Sequence, residues 1–162
     1  ALIAREREDP VRVLERATAL IETCEAAAIP FWRPYGDLLA GWAQVELGNA
    51  SGLQQIHEGL NAQAAMNVTL TRPYGLALYA EATSRCGSPA EGLKALASAF
   101  KIIRRTGERW HEADLHRLWA LLSVQTGRTR NASAALRRAI RFARTQNAVT
   151  YEKRAQDLLD RI

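Results

Sequence analysis

Apolar residues recur along this chain at steps of three and four, the spacing that places them on one face of an α-helix. No stretch alternates apolar and polar residues between turn signals, as a half-buried strand would. The pattern is clearest in residues 106–127, TGERWHEADLHRLWALLSVQTG, where Leu115, Leu118, Trp119 and Leu122 share a face between Gly107 and Gly127. A glycine just past the last periodic residue is a helix stop, because it takes left-handed backbone without steric cost. The same signals predict helices over about 9–28 with Asp9 as N-cap and Pro10 in the first turn, 34–47 stopped by Gly48, and 51–66 stopped by Asn67. Further helices follow over 73–86 stopped by Gly87, 89–106 stopped by Gly107, 112–126 stopped by Gly127, 131–146 stopped by Asn147, and 150–162. The fold class read from this is all-α.

The helices repeat. Adding 40 superposes Leu38, Leu78, Leu118 and Leu158, beside them Leu39, Tyr79, Trp119 and Leu159, and then Ala40, Ala80 and Ala120. The partner helices carry small-large-small sets at the same offset: Gly52, Ile56, Gly59; Gly92, Leu96, Ala99; Ala132, Leu136, Ala139. A small residue where two helices cross lets them approach while its large neighbour fills the groove. The stops Asn67, Gly107 and Asn147 superpose as well. Self-similarity at one offset is the mark of a repeat array. It divides the chain into a single repeat domain over 1–162, with an incomplete first pair at 1–29, full pairs at 30–67, 68–107 and 108–147, and a terminal helix at 148–162. Trp119 is expected to be buried between two pairs. Leu2, Ile3, Val11 and Leu14 lie off the apolar face of the first helix, so either a short helix over 1–8 covers them or the chain self-associates there.

Paired helices with Ala, a large residue and Ala in the second member resemble the tetratricopeptide repeat, whose usual period is about 34. The run TGERWHEADLHRLWALL, with AGWAQVELG at 40–48, EGL at 91–93 and the closing YEKRAQDLLDRI, is similar to the C-terminal repeat region of large bacterial signalling proteins. In that family the region follows a P-loop ATPase module fronted by a class III adenylate or guanylate cyclase domain or by a winged-helix DNA-binding domain. The resemblance implies a right-handed α-solenoid of antiparallel helix pairs, and the period of about 40 departs from the tetratricopeptide form by about six residues, so each pair is longer by about one and a half helical turns.

Composition adds constraints. Of 162 residues 48% are hydrophobic and 24% charged, which suits a folded domain with a core. No apolar run approaches a membrane span and no leader opens the chain, so the cytoplasm is expected, without membrane contact. The start without Met, already in a helical pattern, points to a piece of a longer protein. Cys24 and Cys86 sit in helical patterns away from any CxxC pair and read as buried free thiols. The net charge of +5 is uneven: residues 1–100 carry 8 Lys+Arg against 11 Asp+Glu, residues 101–162 carry 14 against 6. Arg137, Arg138, Arg141 and Arg144 fall on the polar side of one helix, where a solvated face is the first reading and a nucleic-acid contact the alternative.

No constellation for chemistry is present. His111 and His116 are five residues apart, about 140° round a helix, which fails the spacing of a zinc-protease helix. His57 stands alone. No Gly-rich run ends in Lys and Ser or Thr, so the ATPase module of the resembled proteins is absent from these residues. Neither catalysis nor a metal nor a cofactor is expected of them. If the pairs stack in the tetratricopeptide manner, the first helix of each lines a concave face and places Asp37, Gln44, Tyr74, Glu81, Ser84, Arg85, Asp114, Arg117 and Gln125 along it. Mixed charge with one aromatic suits a peptide or helix, from another protein or from the ATPase module of the same polypeptide. Alternatives are a small-effector sensor, as in the long-helix repeats of maltose-responsive transcription activators, which calls for an enclosed apolar pocket, and nucleic-acid contact by the basic C-terminal helices.

Overall fold

The computed structural model describes residues 1–162 and contains helices and turns only. Nine α-helices follow one another: α1 Leu2–Glu6, α2 Pro10–Ala26, α3 Arg33–Glu46, α4 Gly52–Ala65, α5 Arg72–Arg85, α6 Pro89–Thr106, α7 Glu112–Gln125, α8 Ala132–Thr145 and α9 Val149–Leu159, with a 3-10 turn at Thr129–Asn131 before α8. No helix is long and apolar enough to cross a membrane.

The stop signals act as their chemistry requires. Gly48, Gly87, Gly107 and Gly127 have φ between 73° and 89°, and Asn67 and Asn147 have 54° and 53°. After most of them the next N–H turns back on the helix, as in Asn49 to the Gln44 carbonyl at 2.8 Å, Ser88 to Thr83 at 2.8 Å and Arg128 to Ser123 at 2.7 Å. These bonds satisfy carbonyls that the helix end leaves open. Helix α2 closes the same way through Ile29 to Cys24 at 2.8 Å, with Ala28 at φ 53°, a position that no residue type announces. At its start Asp9 accepts the Arg12 N–H at 3.0 Å, the N-cap expected of it.

Short turns make α3 and α4, α5 and α6, and α7 and α8 antiparallel neighbours, while α3, α5, α7 and α9 pack on one another in that order. The 40-residue correspondence is a correspondence of burial: Leu38, Leu78 and Leu118 are fully enclosed, as are Ile56, Leu96 and Leu136. Small residues mark the crossings. A Cβ on Gly52 would lie 2.2 Å from the Gly41 carbonyl oxygen, and one on Gly92 would lie 2.8 Å from that of Ala80. The two contacts differ by one residue in register, since Gly41 superposes on Glu81 and not on Ala80. Helix α3 is thus turned by one position relative to α5, which matters for the groove.

Three expectations need correction. Trp119 is half-buried, because it bridges the large core of α1–α7 and a smaller one around α8 without being enclosed by either. Cys86 is exposed, because it is the residue that ends α5 and faces outward, whereas Cys24 is buried; both are free. A short helix does form within 1–8, yet Leu2, Ile3 and Val11 remain exposed and only Leu14 joins the core. What α1 buries is Ala4 and, unexpectedly, Arg5.

Candidate functional site

Helices α3, α5, α7 and α9 and the N-terminal segment border one groove. A cavity of about 670 Å³ opens there, lined by Trp42 and Glu46 of α3, Glu81, Ser84 and Arg85 of α5, Arg117, Leu121 and Gln125 of α7, Arg154 of α9, and Arg5, Glu8 and Pro10 of the N-terminal segment. Five residues named from the repeat register, Glu81, Ser84, Arg85, Arg117 and Gln125, therefore share one site. Ser84 Oγ donates to Gln125 Oε1 at 2.7 Å, and Arg85 Nε donates to Glu46 Oε1 at 3.0 Å, so adjacent helices are cross-linked along the floor.

Two others sit beneath the floor. Tyr74 and Asp114 have no exposed surface. Tyr74 belongs to an aromatic row across the N-terminal ends of the first helices, with ring centroids 6.1 Å from Tyr35 and 4.8 Å from His111, and His111 lies 5.4 Å from Tyr151. Burial drives the hydroxyl pKa of Tyr74 far above its ordinary value, so the phenol stays neutral at any physiological pH, and its oxygen has no hydrogen-bond partner.

Asp37 and Gln44 are not in the groove. Gln55 of α4 donates to Asp37 at 3.2 Å and accepts from Gln44 at 3.0 Å, so both face the partner helix. The cause is the turn of α3: Gly41 and Gln44 meet Gly52, whereas in α5 Ala80 and Thr83 meet Gly92. One residue of rotation carries Trp42 and Glu46 into the places that extrapolation from α5 assigns to Gly41 and Val45.

The electrostatic centre is a buried cluster around Arg5. Its Nη2 donates to Glu81 Oε2 at 2.7 Å and lies 3.9 Å from Asp114 Oδ2, and its guanidinium carbon stands 4.8 Å from the centre of the Trp42 ring. Trp42 Nε1–H donates to the same Glu81 oxygen at 2.8 Å. Arg117 Nε donates to Asp114 Oδ1 at 2.5 Å, and His111 Nε2 is 3.4 Å from Asp114 Oδ2. Burial alone would push the Asp114 pKa up, but Arg117, the contact with His111 and Arg5 together hold it well below the usual carboxylate range. Burial likewise opposes the charge on Arg5, and Glu81 with Asp114 more than restores it. Farther along, Tyr151 donates to Glu6 Oε1 at 2.7 Å, and Arg154 donates to the Glu6 carbonyl at 2.7 Å and pairs with Glu8 at 3.2 Å. One short segment therefore reaches α3, α5, α7 and α9. Arg5, Trp42, Glu46, Glu6 and Arg154 were not among the residues expected here. Of these only Trp42 carries a hint in the sequence, as a large aromatic beside the small residues Gly41 and Ala43.

A second cleft, of about 870 Å³, lies between α6, α7 and α8. His116 lies on its floor between Phe142, stacked at 5.5 Å, and Phe100 at 4.7 Å, while Lys101, Arg104, Arg109, Arg138 and Arg141 surround it. Burial, then the charges of Arg138 and Arg141, bring the His116 pKa down to about 4. Glu112 is the carboxylate in this setting, raised by burial against the pull of Arg109. His57 is elsewhere, exposed on α4 and in contact with Asn61 at 3.2 Å.

Compared with known proteins, the chain matches no family model and no solved structure. It is similar to an uncharacterised protein of Rhizobium meliloti (strain 1021), 26% identical over 158 residues, a match that covers 96% of this chain and 15% of that protein. The chain thus corresponds to a small part of the length of the relative it resembles.

Proposed function

We propose that these residues form a non-catalytic repeat module, a tetratricopeptide-like right-handed α-solenoid, within a larger bacterial signalling or transcription-regulating protein. Its groove holds a segment of a protein partner, either a separate protein or the ATPase module of the same polypeptide. The observation that carries this reading is α1 itself: a polypeptide segment already lies there, held by side chains from α3, α5, α7 and α9. The groove is lined by charged and amide side chains of both signs, which suits a peptide better than the enclosed apolar pocket that the small-effector sensor reading calls for.

The exposed Cys86 thiol follows directly on Arg85, which lines the cavity, and is the accessible one of the two thiols for a fluorophore. With the label in place, the ATPase module of the parent polypeptide, supplied as a separate chain, is expected to change the fluorescence and to saturate. Arg85→Glu is expected to weaken that binding by about tenfold, the size of a lost charge-assisted contact. Binding that Arg85→Glu leaves unchanged would place the partner on another face.

The second cleft supports a second reading. Five cations around stacked aromatic rings have the composition of a single-stranded nucleic-acid surface, in which bases stack and phosphates meet arginine. An oligonucleotide that binds there should lose affinity steeply with salt and lose it further in Arg138→Ala with Arg141→Ala. Salt-independent or absent binding removes this reading and leaves a solvated face.

A further inference from the structure

The groove reading leaves the chemistry of the partner open, and the surroundings of Arg5 speak to it. A guanidinium that is 2% exposed must be matched on every side or be costly. Here the guanidinium lies over an indole and one edge meets a carboxylate, with a second carboxylate just beyond at 3.9 Å, while its Nε has no hydrogen-bond partner, so α1 fills the pocket incompletely. The indole N–H holds that same Glu81 oxygen, so aromatic plane and carboxylate are fixed relative to each other independently of Arg5. Arg117 holds Asp114 by a hydrogen bond to Oδ1, and His111 stands 3.4 Å from its Oδ2. The pocket is therefore assembled from α3, α5 and α7, and α1 merely enters it. A planar guanidinium can lie flat on the indole while an edge N–H donates to Glu81, a shape that a compact, strongly hydrated ammonium fits less well.

The hold of α1 on this pocket is narrow. Ala4 is its one buried apolar side chain, Leu2 and Ile3 are 40% and 74% exposed, and beyond Arg5 the segment is secured by Glu6 and Glu8 on α9. Such a segment has little apolar surface to lose on leaving. The cavity beside Arg5 continues along Glu46, Arg85 and Gln125, where a longer segment would find groups of both signs.

We propose that Trp42, Glu81 and Asp114 form a receptor for an arginine side chain of the partner polypeptide, and that α1 is its tethered occupant, which the partner displaces. The proposal rests on the groove reading and adds to it the chemical identity of the anchor. A tethered occupant lowers apparent affinity by the fraction of time the site is open, so the partner must offer more than α1 does.

The test uses the full chain and, as probe, a fluorescent synthetic peptide of residues 1–10. Arg5→Ala vacates the pocket, so the peptide is expected to bind that chain at least about tenfold more tightly than the unmodified one. A peptide with Lys at its fifth position is expected to bind the Arg5→Ala chain about tenfold more weakly than the Arg peptide, and Glu81→Gln in that chain is expected to abolish the difference. If the alanine variant does not fold, Arg5→Lys, which keeps a cation beside Asp114, takes its place. Equal affinity for the unmodified and vacated chains overturns the tethered occupant, and equal affinity of the Arg and Lys peptides overturns the arginine receptor. No binding at all overturns both. None of these results decides whether the groove takes a partner by other contacts, which the Arg85→Glu measurement answers separately.

Discussion

His116 shows how one side chain makes stability depend on pH. In the folded chain its ring is enclosed by Phe100 and Phe142 and faced by Arg138 and Arg141, so it titrates at about 4 against an unfolded value of 6.5. Between those values the unfolded chain binds a proton that the folded chain refuses. Stability is therefore full above about pH 6.5 and falls as pH drops toward 4. After allowance for partial exposure, the change is on the order of 2 kcal/mol. Asp114 acts in the same direction at lower pH, since its depressed pKa contributes stability that is lost as it protonates, while the raised pKa of Glu112 acts in the opposite sense. Urea unfolding at several pH values should show the slope between pH 4 and 6.5, and His116→Phe should remove it while leaving the other two in place. An unchanged slope in that variant would mean that the ring is open to water.

Between elements, the governing contact is Gly41 against Gly52. A methyl group on Gly41 would come within 2.4 Å of the Gly52 carbonyl and 2.9 Å of the Ile56 nitrogen, both backbone atoms that cannot rotate away. Gly41→Ala gains about 1 kcal/mol of helix propensity, but prying α3 from α4 costs more, so a net loss of about 1–3 kcal/mol is expected in urea unfolding. A stabilised variant would show that the helices stand farther apart. This contact also explains what could be read beforehand. Helix ends were legible because Gly48, Gly87, Gly107, Gly127, Asn67 and Asn147 punctuate locally, and the groove was legible in α5 and α7 because those helices keep the same register. In α3 the crossing at Gly41 and Gly52 shifts the register by one, which moves Asp37 and Gln44 out and Trp42 and Glu46 in. Arg5 was not legible at all. It lies in a helix too short to have a period, and its partners Glu81 and Asp114 are far away in sequence.

At the level of the whole molecule, cohesion is uneven. The large core runs from Ala4 of α1 through α7 and is rich in Leu, while the core of the last pair consists of Ala120, Ala132, Ala135, Leu136, Ala139, Ile140 and Ala155. Alanine offers little apolar area, so α8 and α9 are held less strongly than α3–α6. Native-state hydrogen exchange should find the amides of α9 opening at lower free energy than those of α3 and α5, as a separate cooperative unit. Uniform protection from α3 to α9 would mean that the repeats unfold as one.

The bonds from Glu6 to Tyr151 and Arg154 join residues 145 and 148 positions apart. Local pairs such as α5 and α6 can form as soon as their own residues are present, but this clasp has no partner until α9 has been added to the row. Docking of α1 is thus a late event in assembly, set by the order in which contacts of increasing sequence separation become available. Because Trp42 donates to Glu81 under Arg5, its emission, with Trp32, Trp110 and Trp119 replaced by Phe, provides a clock: a fast change as α3 packs on its neighbours, then a slower one when the N-terminal segment arrives.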